Sequence, residues 1–176
     1  MTTYVAFLRA INLGATRKFP KDAIAEATRS AGFEDVETYI NTGNVRLSTR
    51  MRSLARVERA LEQAYLADRG FEVPTLVYTL EELREVDAYA AAVDHDGKHY
   101  VALLREVPDA ERLAAMQARC GPGERVELGG RALHWMVSAD GVHGTKLSNT
   151  VIEKQLGTVS TTRNPTVIRA VLERWG

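Results

Sequence analysis

Two hexapeptides constrain this chain more than anything else in it. Tyr4-Val5-Ala6-Phe7-Leu8-Arg9 and Tyr100-Val101-Ala102-Leu103-Leu104-Arg105 are nearly the same string, and each precedes a helix start at a proline, Pro20 and Pro108. A repeat of this length and placement points to duplication. Whatever supersecondary unit the first copy builds, the second is expected to build as well.

The hydrophobic spacing around the first copy gives that unit. A β-rich run over 4–9 leads to a helix over about 20–31, with Ile24, Ala27, Thr28 and Ala31 on one face, Pro20 as its first residue and Gly32 as its stop. Short strands over 36–40 and 45–48 flank Asn41-Thr42-Gly43-Asn44, a polar hairpin signal. Leu54, Val57, Leu61, Ala64 and Tyr65 then mark a long amphipathic helix, ended by Gly70, and 73–78 reads as a fourth strand. The order is βαββαβ, which closes into a four-stranded antiparallel sheet with two helices on one face, the ferredoxin-like arrangement. The second half repeats it through a helix to about residue 119, strands over 124–128 and 132–138 joined by Gly129-Gly130, and a helix over 147–156. There the pattern departs: Asn164-Pro165 starts a last helix running to Trp175, where a fourth strand belongs. The expected class is α+β, two tandem ferredoxin-like halves with an extra C-terminal helix. The divisions are 1–79 for the first half, 80–98 for a helical linker and 99–176 for the second half.

Lys plus Arg and Asp plus Glu each number 23, so no net field draws the chain to nucleic acid or to an anionic membrane. No apolar run approaches the length of a membrane span, the first residues do not form a signal peptide, and the single cysteine, Cys120, fits a reducing compartment. The expected location is the cytoplasm. Cys120 reads as a semi-buried helix-end residue.

In a βαββαβ sheet the first two strands run parallel with the third between them, so their C-terminal ends lie together. That places Asn12 and Gly14, in the loop after Arg9, beside the hairpin at Asn44, with Arg17, Lys18 and the N-terminus of the first helix at the same edge. Amides, a hydroxyl, glycines and cations on one rim suit an anionic ligand, although tight turns use the same residue types. A second cluster joins Lys146, Ser148 and Asn149 to Thr161, Thr162, Arg163 and Asn164 at a proline-started helix, which equally fits a capping motif. The arginines at 46, 50, 52, 56 and 59 read as a solvated helix face diluted by Glu58 and Glu62. Gly141-Val142-His143-Gly144 matches an RNA-clamping loop poorly, and Gly144-Thr145-Lys146 lacks phosphate-loop spacing. His95 and His99 stand four apart, but Gly97 between them argues for a turn and a third ligand is wanting, so no metal is assigned. His134 reads as sheet surface.

At LRAINLG (8–14), TYINTGN (38–44), KLSN (146–149) and TTRN (161–164) the chain resembles the uncharacterised bacterial family catalogued as domain of unknown function 1697, along nearly its whole length. The resemblance implies a duplicated ferredoxin-like arrangement and brings no activity. Its motif residues fall on Arg9, Asn12, Gly14, Thr38, Tyr39, Gly43, Asn44, Lys146, Thr162, Arg163 and Asn164. Ala10, Ala15, Thr42 and Pro165 depart from its pattern, and alanine in place of glycine restricts close backbone approach at the first two.

The expectation is a protein that binds a small anionic or phosphate-bearing ligand through Arg9, Asn12, Asn44, Lys146, Arg163 and Asn164. Lys146 and Arg163 would supply charge and the asparagines would orient. No cofactor is expected and no catalytic residue is assigned. One alternative is a nucleic-acid-binding module with Tyr4, Phe7, Tyr100 and Trp135 on an open sheet face. Another is a structural or partner-binding protein.

Overall fold

The computed structural model describes residues 1–138 and 147–176. The elements run β1 (Thr2–Leu8), α1 (Lys21–Ser30), β2 (Glu34–Tyr39), β3 (Asn44–Thr49), α2 (Leu54–Arg69), β4 (Thr75–Thr79) and α3 (Leu80–Ala92). They continue with β5 (Gly97–Leu104), α4 (Ala110–Ala118), β6 (Glu124–Leu128), β7 (Ala132–Ser138), α5 (Asn149–Leu156), β8 (Ser160–Arg163) and α6 (Pro165–Trp175). The chain divides into two compact units, Met1–Leu80 with Arg174–Gly176, and Glu81–Glu173. Among the described residues no helix is long and apolar enough to cross a membrane.

Each unit holds one four-stranded sheet, ordered β2-β3-β1-β4 in the first and β6-β7-β5-β8 in the second, with every neighbouring pair antiparallel. Both are ferredoxin-like βαββαβ units, and the repeated hexapeptides form the strands that pair on both sides. In the first unit Tyr4, Ala6 and Leu8 alternate onto the helix-covered face, where they join Leu47 and Val77 of the sheet, Ile24 of α1 and Val57, Leu61 and Tyr65 of α2. Val5 and Phe7 alternate to the other face, where Phe7 meets Tyr78 edge-on at 5.8 Å. A strand with two apolar faces has no wet side to mark with polar residues, which accounts for the unbroken apolar run. Each fully buried Leu or Phe side chain contributes about 1.5–3 kcal/mol. The second unit repeats the arrangement with Ala102, Leu104, Leu133, Trp135 and Val137 against Met116, Ile152 and Leu156.

The departure expected at the end of the second half does not occur. Ser160–Arg163 is its fourth strand, paired from Leu104↔Ser160 to Val101↔Arg163. Four polar residues at a sheet edge carry no hydrophobic alternation, and the helix start at Asn164-Pro165 abuts the strand's end, so the helix signal masked it.

The edge strands also show how the units resemble each other. Arg9 N–H donates to the Pro74 carbonyl, so the N–H groups of Thr75 and Val77 point away from β1. Glu62 and Glu58 of α2 accept them, at 2.9 and 3.0 Å. In the second unit Glu153 of α5 accepts the N–H of Ser160 at 2.8 Å, while Asn149 donates to the Ser160 carbonyl and accepts from the Thr162 hydroxyl. Carboxylates thus occupy edge donors that would otherwise invite another strand. Replacing buried Glu58 by Ala is expected to cost about 1–3 kcal/mol in urea unfolding, whereas Glu58→Gln, whose amide oxygen still accepts, costs distinctly less. Equal losses would show that the Val77 bond does not matter.

Candidate functional site

The duplication supplies an internal control for the connection between the first strand and the first helix. The second unit makes it with five residues, 105–109, and caps α4 with Asp109, which accepts from Arg112 N–H. The first unit uses twelve, 9–20, and starts α1 after Pro20 with no side-chain cap. The fold therefore does not require the longer loop.

That loop is nevertheless built firmly. Ala10, Asn12, Gly14 and Arg17 have left-handed φ angles of 56, 54, 58 and 54°, a conformation that costs a residue such as alanine or arginine on the order of 1–3 kcal/mol. Internal bonds hold it in place. Asn12 donates its side-chain amide to the carbonyls of Phe19 (3.0 Å) and Asn41 (2.8 Å), accepts from Phe19 N–H (2.8 Å), and its own N–H reaches Arg17 O. Arg17 donates to the carbonyls of Ala10 and Glu72 and lies 4.7 Å over the ring of Phe71. Phe19, fully buried against Tyr65, anchors the end of the loop.

The β2–β3 hairpin completes the rim. Leu8 N–H donates to Gly43 O, and a Cβ on Gly43, whose φ is +80°, would sit 2.7 Å from Leu8 Cβ and 2.9 Å from Ile11 Cδ1, so only glycine fits. Asn44 is fully buried and donates to Tyr39 O and the Thr42 hydroxyl. Leu13, Gly14, Ala15, Thr16, Lys18, Asn41 and Thr42 are left exposed, with Lys21 and Asp22 in the first turn of α1 beside them.

The residues expected to bind a ligand thus have distinct places. Arg9 is half-buried at the end of β1, and the Asn12 amide and the Asn44 hairpin are brought together, with both asparagines bonded into the scaffold of the rim. In the second unit Arg163 is buried on β8 and donates to the Thr161 hydroxyl and the Thr162 carbonyl, and burial pushes its pKa down to about 10. Asn164 is exposed and its carbonyl accepts from Val167 N–H, while Ser148 caps α5. Lys146 and the 141–144 segment lie outside the described residues. Of the aromatic candidates, Tyr4 and Trp135 lie in the helix-covered cores, Tyr100 packs beside Trp135, and Phe7 is buried against Tyr78.

One set of polar residues was not visible in the sequence. His134, expected on the sheet surface, is fully buried because β7 is covered on both faces. Its Nδ1 lies 3.0 Å from His99 Nε2 and its Nε2 lies 3.1 Å from Gly129 O. Burial lowers the pKa of both histidines, His134 to about 4. Tyr89 donates to Glu127, which raises the phenol pKa and lowers that of the carboxyl. These residues come from α3, β5, β6 and β7, and no spacing rule connects them. Cys120, half-buried at the end of α4, has its thiol pushed up by burial.

The family model described as "Protein of unknown function (DUF1697)" matches residues 1–134. Among solved structures, a conserved bacterial protein from Streptococcus pneumoniae is similar over 98% of this chain and 97% of its own, with a TM-score of 0.76 and 19% identity, a likeness of fold. No curated protein matches the chain.

Asn12→Ala removes three side-chain hydrogen bonds and is expected to cost about 1–3 kcal/mol. Amide exchange should accelerate in 9–18 while α4 and α5 keep their protection. A variant with unchanged exchange in the loop would contradict this account of its rigidity.

Proposed function

The chain belongs to the DUF1697 family, and from that premise we propose that it binds a small anionic ligand, carrying a phosphate or carboxylate group, on the rim of its first unit. The observation that carries this reading is the contrast between the two connections: one half closes the same turn in five residues, the other builds a locked loop of twelve. Long ordered loops on a rigid scaffold are commonly kept for binding.

The chemistry of the loop supports an anion. Left-handed φ angles at positions 10, 12 and 14 give the loop the kind of turning backbone that can gather N–H groups around an anion. The exposed Gly14 and Ala15 donate their N–H groups to no other described residue. The uncapped start of α1 adds free N–H groups and a partial positive charge. Lys18 and Lys21 supply exposed cations, and Asp22 limits how much negative charge the rim accepts. In this reading Asn12 and Asn44 hold the cradle, and Arg9 lies at its base. Arg163 and Asn164 are left out of the contact set because their bonds serve β8 and α6. The location we propose is the cytoplasm, supported by the single cysteine.

Thermal denaturation with inorganic phosphate, pyrophosphate, a nucleoside monophosphate and citrate tests the reading. A ligand present at 100 times its dissociation constant stabilises the fold by about 2.7 kcal/mol. At least one of these anions should raise Tm, added sodium chloride should weaken the effect, and a Lys18→Ala/Lys21→Ala variant should lose most of it. Equal stabilisation of native and variant protein, or none by any anion, would overturn the proposal.

A further inference from the structure

The histidine pair of the second unit has a defined protonation pattern. The Gly129 carbonyl can only accept, so His134 Nε2 carries the hydrogen and, in the neutral ring, Nδ1 is an acceptor. His99 Nε2 must then donate across the 3.0 Å gap, and His99 Nδ1 keeps a lone pair. Tyr89 of α3 lies on the other side of His134, ring centroids 4.5 Å apart, with its hydroxyl donating to Glu127 Oε2 at 2.7 Å. Glu127 Oε1 accepts from Arg125 at 3.1 Å. The seat for α3 is made by two glycines: a Cβ on Gly129 would fall 2.3 Å from the Tyr89 ring, and one on Gly130 would fall 3.2 Å from Val86.

This geometry treats two successive protons differently. A first proton enters at His99 Nδ1 on the half-buried ring and leaves the His99–His134 bond intact. A second can enter only at His134 Nδ1, where two N–H donors and two cations would face each other 3.0 Å apart. We propose that the His99–His134 pair is a proton-operated latch on α3, holding the helix on the sheet while it carries one proton or none and releasing it when it takes the second. Glu127 favours charging of the pair, while Arg125 and His95 oppose it. Tyr89 is neutral throughout. Among the described residues, α3 is also tied down by ion pairs from Glu82 to Arg131 and from Asp87 to Arg169. The depression of both histidines by burial agrees in sign: the released rings bind protons at the ordinary histidine range near 6.5, so opening becomes easier as pH falls below it, by about tenfold per pH unit for each proton taken up.

The test compares amide exchange of α3 with that of α4 in the full chain between pH 7.5 and 4.5, corrected for intrinsic rates, in the wild type and in His99→Gln. Glutamine can donate to His134 Nδ1 when that ring is neutral and present its oxygen when the ring is charged. Wild-type α3 should lose protection relative to α4 as pH falls, and the variant should lose much less. Ring ¹⁵N spectra of the wild type at pH 7.5 should show both His99 and His134 as Nε2–H tautomers, a readout that does not depend on the variant folding. An Nδ1–H tautomer at His134, parallel loss of protection in α3 and α4, or identical pH profiles in wild type and variant would each overturn the latch.

Discussion

Each unit depends on one strand that is paired on both sides and apolar on both faces. In the first unit β1 bonds to β3 and β4, and at its end Leu8 N–H reaches Gly43 O and Arg9 N–H reaches Pro74 O. In the second unit Leu104 N–H reaches Arg131 O and Arg105 N–H reaches Val159 O. The same two bonds end both central strands, so the backbone leaves each sheet in the same way. Up to that point packing dictates nearly every residue, and the two copies agree. Beyond it they differ, because the chain is free of the ladder.

That is why the binding role we propose is placed on the loop of the first unit. Its left-handed residues and its exposed polar rim add no buried apolar surface, and the second unit makes the same connection without them. What holds the strained backbone is a set of side chains turned inward: the Asn12 amide with three bonds to Phe19 and Asn41, Arg17 on two carbonyls, and Phe19 in the core. Asn12, Asn44 and Arg17 are bonded into the frame of the rim. The groups left outside are backbone N–H groups, a helix start and two lysines, which together suit an anion.

Much of this was legible in the sequence because duplication and periodicity are local. The repeated hexapeptides, the Gly-stopped helices and the hairpin at Asn41–Asn44 all follow from short-range rules, and the topology then brings Asn12 to the hairpin. Three features were not legible, for three physical reasons. β8 is a polar edge strand whose residues need no alternation. The commitment of Asn12 and Arg17 to internal bonds depends on where Phe19, Asn41 and Glu72 lie in space. The set of His99, His134, Tyr89 and Glu127 draws on four elements, and a histidine on a strand covered on both faces cannot be told from one on a half-exposed strand by alternation alone.

The most direct measurement is a ¹H–¹⁵N correlation spectrum of the protein titrated with inorganic phosphate at constant ionic strength. Saturable shifts concentrated at the amides of Gly14, Ala15, Thr16, Lys18 and Lys21 are the predicted result. Shifts that do not saturate, or that fall elsewhere and leave these amides unmoved, would contradict the account.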